Sequence, residues 1–384
     1  MKTDHTTWDI DLFAEVLESL NVKRISRVDP EWLTTPSFVM QRLYHGEIVE
    51  DCGKGLTMVQ AFRSMLFEAI ERSAAENTSG MEFLHGSHRE LVDSYNLCWP
   101  PRIASGTQGV DELCLEWVIG DDLLTGEKTY VPCDCVCFPY DGKFFPATTT
   151  GLAANMTMDK AILHAIFEVI ERDTLYLNTY TGLPRRAISF SPKDQPSYGV
   201  YQSFLDAGIE VTIESVANDL KIPVVLTCFE EIPQMPGIKA AGIGCHLDPS
   251  IAVIRSMTEC SLTASYWSSR GKKADASQGN VFRPSIEVEA KYRTQKHPLK
   301  LEEIQNRSTG DTDGDLEMVL EQLGDVASHV IVVELTRDSL PFPSVRVIVP
   351  NFEDQFVGKP IPRGRAMIAK EVVEQYIKSK SSLQ

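Results

Sequence analysis

Long apolar runs are missing from this 384-residue chain. A membrane-spanning helix needs roughly 18 or more consecutive apolar residues, and no such stretch occurs, which excludes a helical membrane protein. The opening residues Met1-Lys2-Thr3-Asp4-His5 lack the apolar core of an export signal, so a cytoplasmic location is expected. Positive charge is also scarce. Lysine and arginine total 37 against 54 aspartates and glutamates, a net charge of −17. Sequence-independent nucleic-acid binding needs a basic face, and this balance excludes it. A basic peptide or partner would be attracted instead.

The common nucleotide fingerprints are absent too. Neither the Gly-x4-Gly-Lys-Ser/Thr phosphate loop nor the Gly-x-Gly-x-x-Gly dinucleotide turn is present. The nine cysteines are scattered except for Cys133, Cys135 and Cys137. Their alternation reads as one face of a buried core strand, with no evident fourth ligand to make a zinc site. Asp311, Asp313 and Asp315 imitate a calcium loop, but Leu316 stands where glycine is required and Gln322 where glutamate is required. A helix cap before Leu316–Leu323 is the better reading. His85 and His88 fall in a Gly-, Ser- and Pro-rich stretch over 77–110 and read as exposed loop histidines.

What the chain does contain is one helical signature written twice. Gln60-Ala61-Phe62-Arg63-Ser64-Met65-Leu66-Phe67-Glu68-Ala69-Ile70-Glu71-Arg72 aligns without gaps on Lys160-Ala161-Ile162-Leu163-His164-Ala165-Ile166-Phe167-Glu168-Val169-Ile170-Glu171-Arg172. Residues three and four apart share a helix face. Glu68, Glu71 and Arg72 are therefore neighbours, as are Glu168, Glu171 and Arg172. Paired carboxylates beside an apolar stripe repel each other unless a cation joins them. Mg²⁺ suits them, because it takes one or two carboxylates plus substrate phosphates. Each arginine can offer phosphate a forked pair of donors. Exposed Glu/Arg pairs are common on surface helices, yet an in-register repeat is not what such pairs alone produce. Small-residue stretches precede both helices, Gly53-Lys54-Gly55-Leu56-Thr57 and Thr148-Thr149-Thr150-Gly151-Leu152-Ala153-Ala154-Asn155. Small residues let backbone amides approach an anion closely. A third unit follows the same logic: Ala240-Ala241-Gly242-Ile243-Gly244-Cys245-His246, then the start signal Asp248-Pro249-Ser250, then Arg255, Thr258 and Glu259.

In order and spacing, these stretches resemble the YcaO family of ATP-dependent enzymes that modify peptide backbone amides. The likeness rests on Gly-Lys-Gly with Ser64-x3-Glu68-x2-Glu71-Arg72, on Thr149 to Asn155 with Glu168-x2-Glu171-Arg172-Asp173, on Arg255-Ser-Met-Thr258-Glu259, and on Val345 to Pro350. It runs from about residue 25 to about 365. It implies an α+β fold, with mixed sheets flanked by helices around a central Mg-ATP site in a single catalytic domain. It implies ATP and Mg²⁺ as cofactors, with Glu68, Glu71, Glu168, Glu171 and Glu259 as metal and nucleotide contacts. Lys54, Ser64, Arg72, Asn155 and Arg172 are then phosphate or ribose contacts, and Arg346 is a catalytic candidate on the substrate side. The implied partners are a peptide or protein substrate, a companion protein for recognition or sulfur delivery, and a second copy of the chain.

The reaction implied is nucleophilic attack on an amide carbon and phosphorylation of the resulting oxygen, which leaves as phosphate. A sulfur donor gives a thioamide, an internal Cys, Ser or Thr an azoline, and an amine an amidine. The azoline-forming members often end in a proline-rich tail. This chain ends Lys378-Ser-Lys-Ser-Ser-Leu-Gln384, which favours the thioamide. Many members carry Gln and Arg one turn after Thr258-Glu259, where Leu262 and Ala264 stand here. That departure motivates a rival reading as a noncatalytic nucleotide-binding scaffold. A di-metal carboxylate protein would require Glu-x-x-His pairs, and the signature helices have none.

The apolar pattern predicts an N-terminal helix within residues 1–24, over Asp9–Leu20, and strand-like runs with turns over Val22–Tyr44. The signature helices should span about Thr57–Ala75, a stretch from Lys160 onward, and Pro249–Trp267. Leu115–Pro146 should form strands joined by turns at Thr125-Gly126 and near Asp141-Gly142. A helix and its approach are expected over Ile188–Val211, and a polar, mobile loop over 268–315. Buried strands should cover Val330–Leu335 and Val345–Val349, with a last helix over Ala366–Lys378.

Overall fold

The computed structural model describes residues 10–76, 80–98, 110–140, 148–181, 185–271, 297–353 and Arg365. In chain order it runs α1 (Ile10–Ser19), β1 (Val22–Arg27), β2 (Ser37–Tyr44), β3 (Glu47–Lys54) and α2 (Met58–Glu76). Next come β4 (Leu84–Gly86), α3 (His88–Leu91), β5 (Leu115–Asp122), β6 (Lys128–Pro132), β7 (Leu152–Ala154) and α4 (Met158–Thr181). There follow β8 (Arg186–Ser189), α5 (Ser197–Asp206), β9 (Glu210–Val216), β10 (Val224–Glu231), β11 (Ala240–Cys245) and α6 (Pro249–Arg270). The chain continues with β12 (Leu299–Lys300), α7 (Thr312–Gly324), β13 (Ile331–Glu334) and β14 (Ser344–Ile348).

The strands form three sheets. One is the antiparallel β1-β2-β3. The second has the order β11-β10-β9-β8-β12, antiparallel except where β12 runs parallel to β8. The third has the order β4-β5-β13-β14-β7, with β6 added to β5. This is the mixed α+β architecture expected.

The organising unit is a short strand followed directly by a long helix, used three times: β3–α2, β7–α4 and β11–α6. Each of these strands packs on its own helix and on one other. β3 also touches α6, β7 also touches α2, and β11 also touches α4. The three units thus close into a ring.

Close strand–helix approach explains the small residues before each helix. A Cβ on Gly53 would lie 2.1 Å from the Met65 nitrogen and 2.3 Å from the Ala61 oxygen. On Gly242 it would lie 2.1 Å from the Cys260 nitrogen, and on Gly244 2.3 Å from the Ala252 oxygen. In β7 the buried Ala153 and Ala154 occupy the same place. These residues were read as room for an anion; their first duty is room for a helix.

The helix starts obey local rules. Thr57 Oγ1 accepts from the Gln60 amide at 3.2 Å, and Thr157 Oγ1 accepts from the Lys160 amide at 3.4 Å. The duplication therefore extends back to the caps. Asp248 caps α6 by accepting from the Ser250 amide at 2.8 Å, with Pro249 in the first turn. Each such cap is worth about 1 kcal/mol. The inward faces of α2 (Met65, Leu66, Ala69, Ile70) and α4 (Ile166, Phe167, Ile170) are buried. Each large side chain among them contributes roughly 1.5–3 kcal/mol.

Most other expectations hold, with boundaries moved. Asp311 caps α7 through the Gly314 amide at 2.9 Å. β5 and β6 join through a turn with Gly126 at φ +75°. The helix expected within 188–211 is α5, with β8 and β9 at its flanks. His85 lies in β4 rather than a loop, although its side chain is exposed, and His88 opens the short α3. Of the polar stretch over 268–315, the described residues carry short regular pieces at its two ends. α6 continues to Arg270, and β12 and the start of α7 occupy its far end, because Leu301 and the Asp311 cap give those residues local partners. Residues 272–296, the turn at Asp141-Gly142 and the helix over Ala366–Lys378 lie outside the described residues.

The cysteine expectation fails. Pro132 ends β6, and Cys133–Cys135 form a 3-10 turn instead of a strand. Cys133 and Cys137 are brought together, Sγ to Sγ 2.9 Å, and both are buried, while Cys135 is half-buried.

Candidate functional site

The signature acids sit where the ring of units closes. On α2 the face runs Ser64, Glu68, Glu71, Arg72; on α4 it runs His164, Glu168, Glu171, Arg172. α6 contributes Arg255 and Glu259, one turn apart. Lys54, the last residue of β3, is ion-paired with Glu259. The same ammonium lies within electrostatic reach of Glu68, Glu171, Arg172 and Arg255, so it marks the meeting point of all three helices. These side chains gather into one half-buried polar cluster, termed the cleft. Lys54, Glu168, Arg172 and Glu259 retain between 22% and 31% exposure although protein surrounds them on their other sides.

Burial and like charge shift the acids strongly. Glu68 is pushed up to about 7, first by burial and then by Asp51, against the pull of Lys54 and Arg72. Burial, Glu68 and Glu168 hold Glu71 well above the usual carboxylate range. Burial raises Glu171 as well, with Arg172 opposing. Glu168 is held by two donors, the Gly151 amide at 3.1 Å and Arg172 Nη2 at 3.3 Å.

Five carboxylates (Glu68, Glu71, Glu168, Glu171, Glu259) share three cations (Lys54, Arg172, Arg255). Among the described residues no three His, Cys, Asp or Glu side chains converge tightly enough to cage an ion. Carboxylate oxygens beside Lys54 and Arg172 suit a hard, oxygen-loving cation that also takes phosphate and water ligands, the habit of Mg²⁺.

Two side chains in the cleft carried no assigned role in the sequence. Arg255 donates from Nη1 to the Cys245 carbonyl at 3.1 Å, faces Glu171, and lies 5.7 Å from the Phe167 ring centroid. Its helical spacing to Glu259 was the available signal. His164 occupies the place of Ser64 in the second copy. Burial, Arg255 and Lys54 push its imidazole down to about 3, which keeps it neutral.

Other expected site residues are placed at the margin. Ser64 is half-buried one turn before Glu68. Asn155 closes β7, its Oδ1 accepting from the Met156 amide at 2.9 Å. Arg72 turns to the strand, donating to Asp51 Oδ1 at 2.7 Å and to the Glu50 carbonyl at 2.6 Å. Arg346, on β14, donates from Nη1 to the Thr148 carbonyl at 2.7 Å, in the loop that enters β7. Leu262 and Ala264 are core residues of α6. The positions that departed from the family pattern are thus packed inside the protein.

Fold and cleft together define a class: α+β proteins in which helices bearing paired carboxylates surround one polar site. The family described as YcaO cyclodehydratase, ATP- and Mg²⁺-binding, matches residues 52–353. A protein of Methanothermobacter thermautotrophicus, itself uncharacterised, is 30% identical over 89% of this chain and 92% of its own length. An uncharacterised protein encoded in the tfuA 3′ region of Rhizobium leguminosarum bv. trifolii is 26% identical over 81% of this chain and 79% of its own. Among solved structures, the YcaO from Methanopyrus kandleri bound with AMPPCP and Mg²⁺ superposes with a TM-score of 0.73 at 23% identity, over 89% of each chain. A heterocyclase in complex with substrate and cofactor gives 0.76 at 19% identity, over 91% of this chain and 53% of the other. The chain belongs to the YcaO family. Membership places it among ATP-dependent, Mg²⁺-binding enzymes of peptide modification. Among the described residues no helix is long and apolar enough to cross a membrane.

Proposed function

We propose that this protein activates a backbone amide of a ribosomally made peptide or protein with Mg-ATP. A nucleophile adds to the amide carbon, and the resulting oxygen becomes a phosphate leaving group. The observation that carries the reading is the convergence of Lys54 and Glu259 on Glu68, Glu71, Glu168 and Glu171 from three helices. When bound, Mg-ATP supplies the phosphoryl group that makes an amide oxygen a good leaving group. Phosphoryl transfer asks the protein chiefly for positioning and charge neutralisation. Glu68, Glu71, Glu168, Glu171 and Glu259 would hold Mg²⁺. Lys54, Arg172 and Arg255 would take phosphate oxygens, with Ser64 and Asn155 at the margin of the nucleotide. Lys54, paired with Glu259 in this structure, would take a phosphate oxygen, and Glu259 would then serve the cation. Neutral His164 can accept or donate a hydrogen bond without adding charge to the cleft. Arg346 would act on the substrate side.

Sulfur is the nucleophile we favour, which makes the product a thioamide; azoline and amidine formation are the alternative outcomes of the same activation. The substrate is a peptide or protein, and a companion protein that delivers it or the sulfur is part of the reading, as is a homodimer. The test is mass spectrometry of candidate peptides incubated with enzyme, ATP, Mg²⁺ and sulfide. Exchange of oxygen for sulfur supports the thioamide, and loss of water identifies the azoline. ATP left intact with every peptide and nucleophile would overturn the reading in favour of a nucleotide-binding scaffold.

A further inference from the structure

The two signature arginines occupy matching places in the repeat but are held differently. Arg172 stays on its own helix, 3.3 Å from Glu168. Arg72 reaches back to β3, where Nη1 meets Asp51 Oδ1 at 2.7 Å and the Glu50 carbonyl at 2.6 Å. Asp51 is fully buried. Its other oxygen accepts from Arg42 Nε at 2.6 Å. Arg42, buried on β2, then forks onto both oxygens of Glu76 at 2.6 Å each, one turn beyond Arg72 on α2. Two guanidiniums and two carboxylates thus close a neutral ring through α2, β3 and β2. Both oxygens of the aspartate are occupied by arginine, the strong charge-assisted arrangement. The neighbouring Glu50 serves α6: its carboxylate accepts from the Tyr266 hydroxyl at 3.0 Å and pairs with Arg270. In the repeat, the position matching Asp51 is Gly151, which has no side chain and holds Glu168 through its amide.

We propose that Asp51 is a positioning residue for the nucleotide site: by gripping Arg72 it sets the rotation at which α2 presents Glu68 and Glu71. Arg72 is accordingly an anchor, and the phosphate-facing arginine of the pair is Arg172. The activity side of this inference rests on the ATP-dependent reading above; the mechanical side does not.

The experiment compares wild type, Asp51→Asn, Arg72→Lys and the double variant in full-length protein. Amide hydrogen exchange is read over Phe67–Arg72, with Phe167–Arg172 of the second copy as the internal control. Mg-ATP affinity and ATP turnover are then measured. The expected result is faster exchange in the α2 segment alone and a loss of kcat/KM for ATP of about ten- to hundredfold. The double variant should lose less than the product of the two single losses, since Asp51 and Arg72 share one contact, although Asp51→Asn also weakens the hold on Arg42. Unchanged exchange in α2, equal loosening of both segments, or losses that multiply in the double variant would each overturn the proposal. If Asp51→Asn gives no folded protein, Arg72→Lys alone decides by the same α2-specific exchange. Should wild type bind no ATP, the functional reading falls while the exchange result still judges the anchor.

Discussion

Lys54 and Glu259 form an ion pair across the mouth of the cleft, joining the end of β3 to the middle of α6. Each is about a third exposed or less, so neither is locked away from an incoming phosphate or cation. On the proposed reading, the pair holds the place that Mg-ATP would take. Replacing Lys54 by Met removes a phosphate ligand and leaves the acid cluster one charge more negative. Mg-ATP affinity should fall by roughly tenfold or more, the scale of a lost charge-assisted contact of 1.5–3 kcal/mol. Isothermal calorimetry checks it, and an unchanged Kd would remove Lys54 from the site.

The acids proposed to hold the cation are a burden on the protein without it. Burial and like charge raise Glu71 furthest, with Glu68 and Glu171 shifted the same way. Glutamine in any of the three removes a strained charge and keeps the shape. Glu71→Gln, Glu68→Gln and Glu171→Gln should each raise the melting temperature of the nucleotide-free protein at pH 8 and abolish ATP turnover. Thermal unfolding and phosphate release are the two measurements. Activity retained in both Glu68→Gln and Glu171→Gln would sink the assignment. A melting temperature lowered in all three would mean that the acids are structural.

The signs for pH follow from the same shifts. Glu68 titrates near 7 in the folded protein, above its ordinary 4.5. Between those values the folded state holds more protons than the unfolded one, so stability falls as pH rises. Asp173, pushed up to about 7 by burial against Arg365, adds to the same slope. His164 and His246, pushed down to about 3 and about 4 by burial, give the opposite slope below their ordinary 6.5, so the nucleotide-free protein should lose melting temperature from pH 6.5 to pH 8. Mg²⁺ requires the ionised carboxylate, so Mg-ATP affinity should climb over pH 6–8, and the complex should lose less stability than the free protein. Glu68→Gln should flatten the stability slope only in part, because Glu71, Glu171 and Asp173 remain. A slope of the opposite sign in the free protein would contradict both assignments.

The legible part of this chain was the part written in local spacing. Glu68 and Glu71 share a face because three residues make nearly one turn, and Asp248-Pro249 announces a helix start; both could be read without a structure. The ring of three units was only half visible, since the contacts of β3 with α6 and of β11 with α4 join residues far apart in the chain. Asp51 escaped notice for the same reason. Its partners come from β2 and from the end of α2, and one buried acid on a strand carries no periodic signal. Cys133 to Cys137 misled because alternation suggested a strand, while Pro132 had already ended it. Leu262 and Ala264 looked like lost ligands, yet their burial in α6 makes them packing residues.

Arg346 separates binding from chemistry. It is buried on β14 and its Nη1 donates to the Thr148 carbonyl at 2.7 Å, so it braces the loop entering β7. Its counterpart across the strand pair is Leu152, the first residue of β7. On the proposed reading Arg346 serves the substrate side or the shape of that loop, and the nucleotide should still bind without it. Arg346→Gln keeps a donor but removes the charge. ATP affinity should stay within about twofold of wild type, while turnover of peptide falls about a hundredfold, the loss expected when an electrostatic contact made in the transition state is removed. Stability should drop by roughly 1–3 kcal/mol, because buried groups that the guanidinium served lose a partner. Calorimetry with Mg-ATP, single-turnover peptide assays and denaturant unfolding separate the three effects. Loss of ATP binding in a well-folded Arg346→Gln protein would move this arginine from the substrate side to the nucleotide.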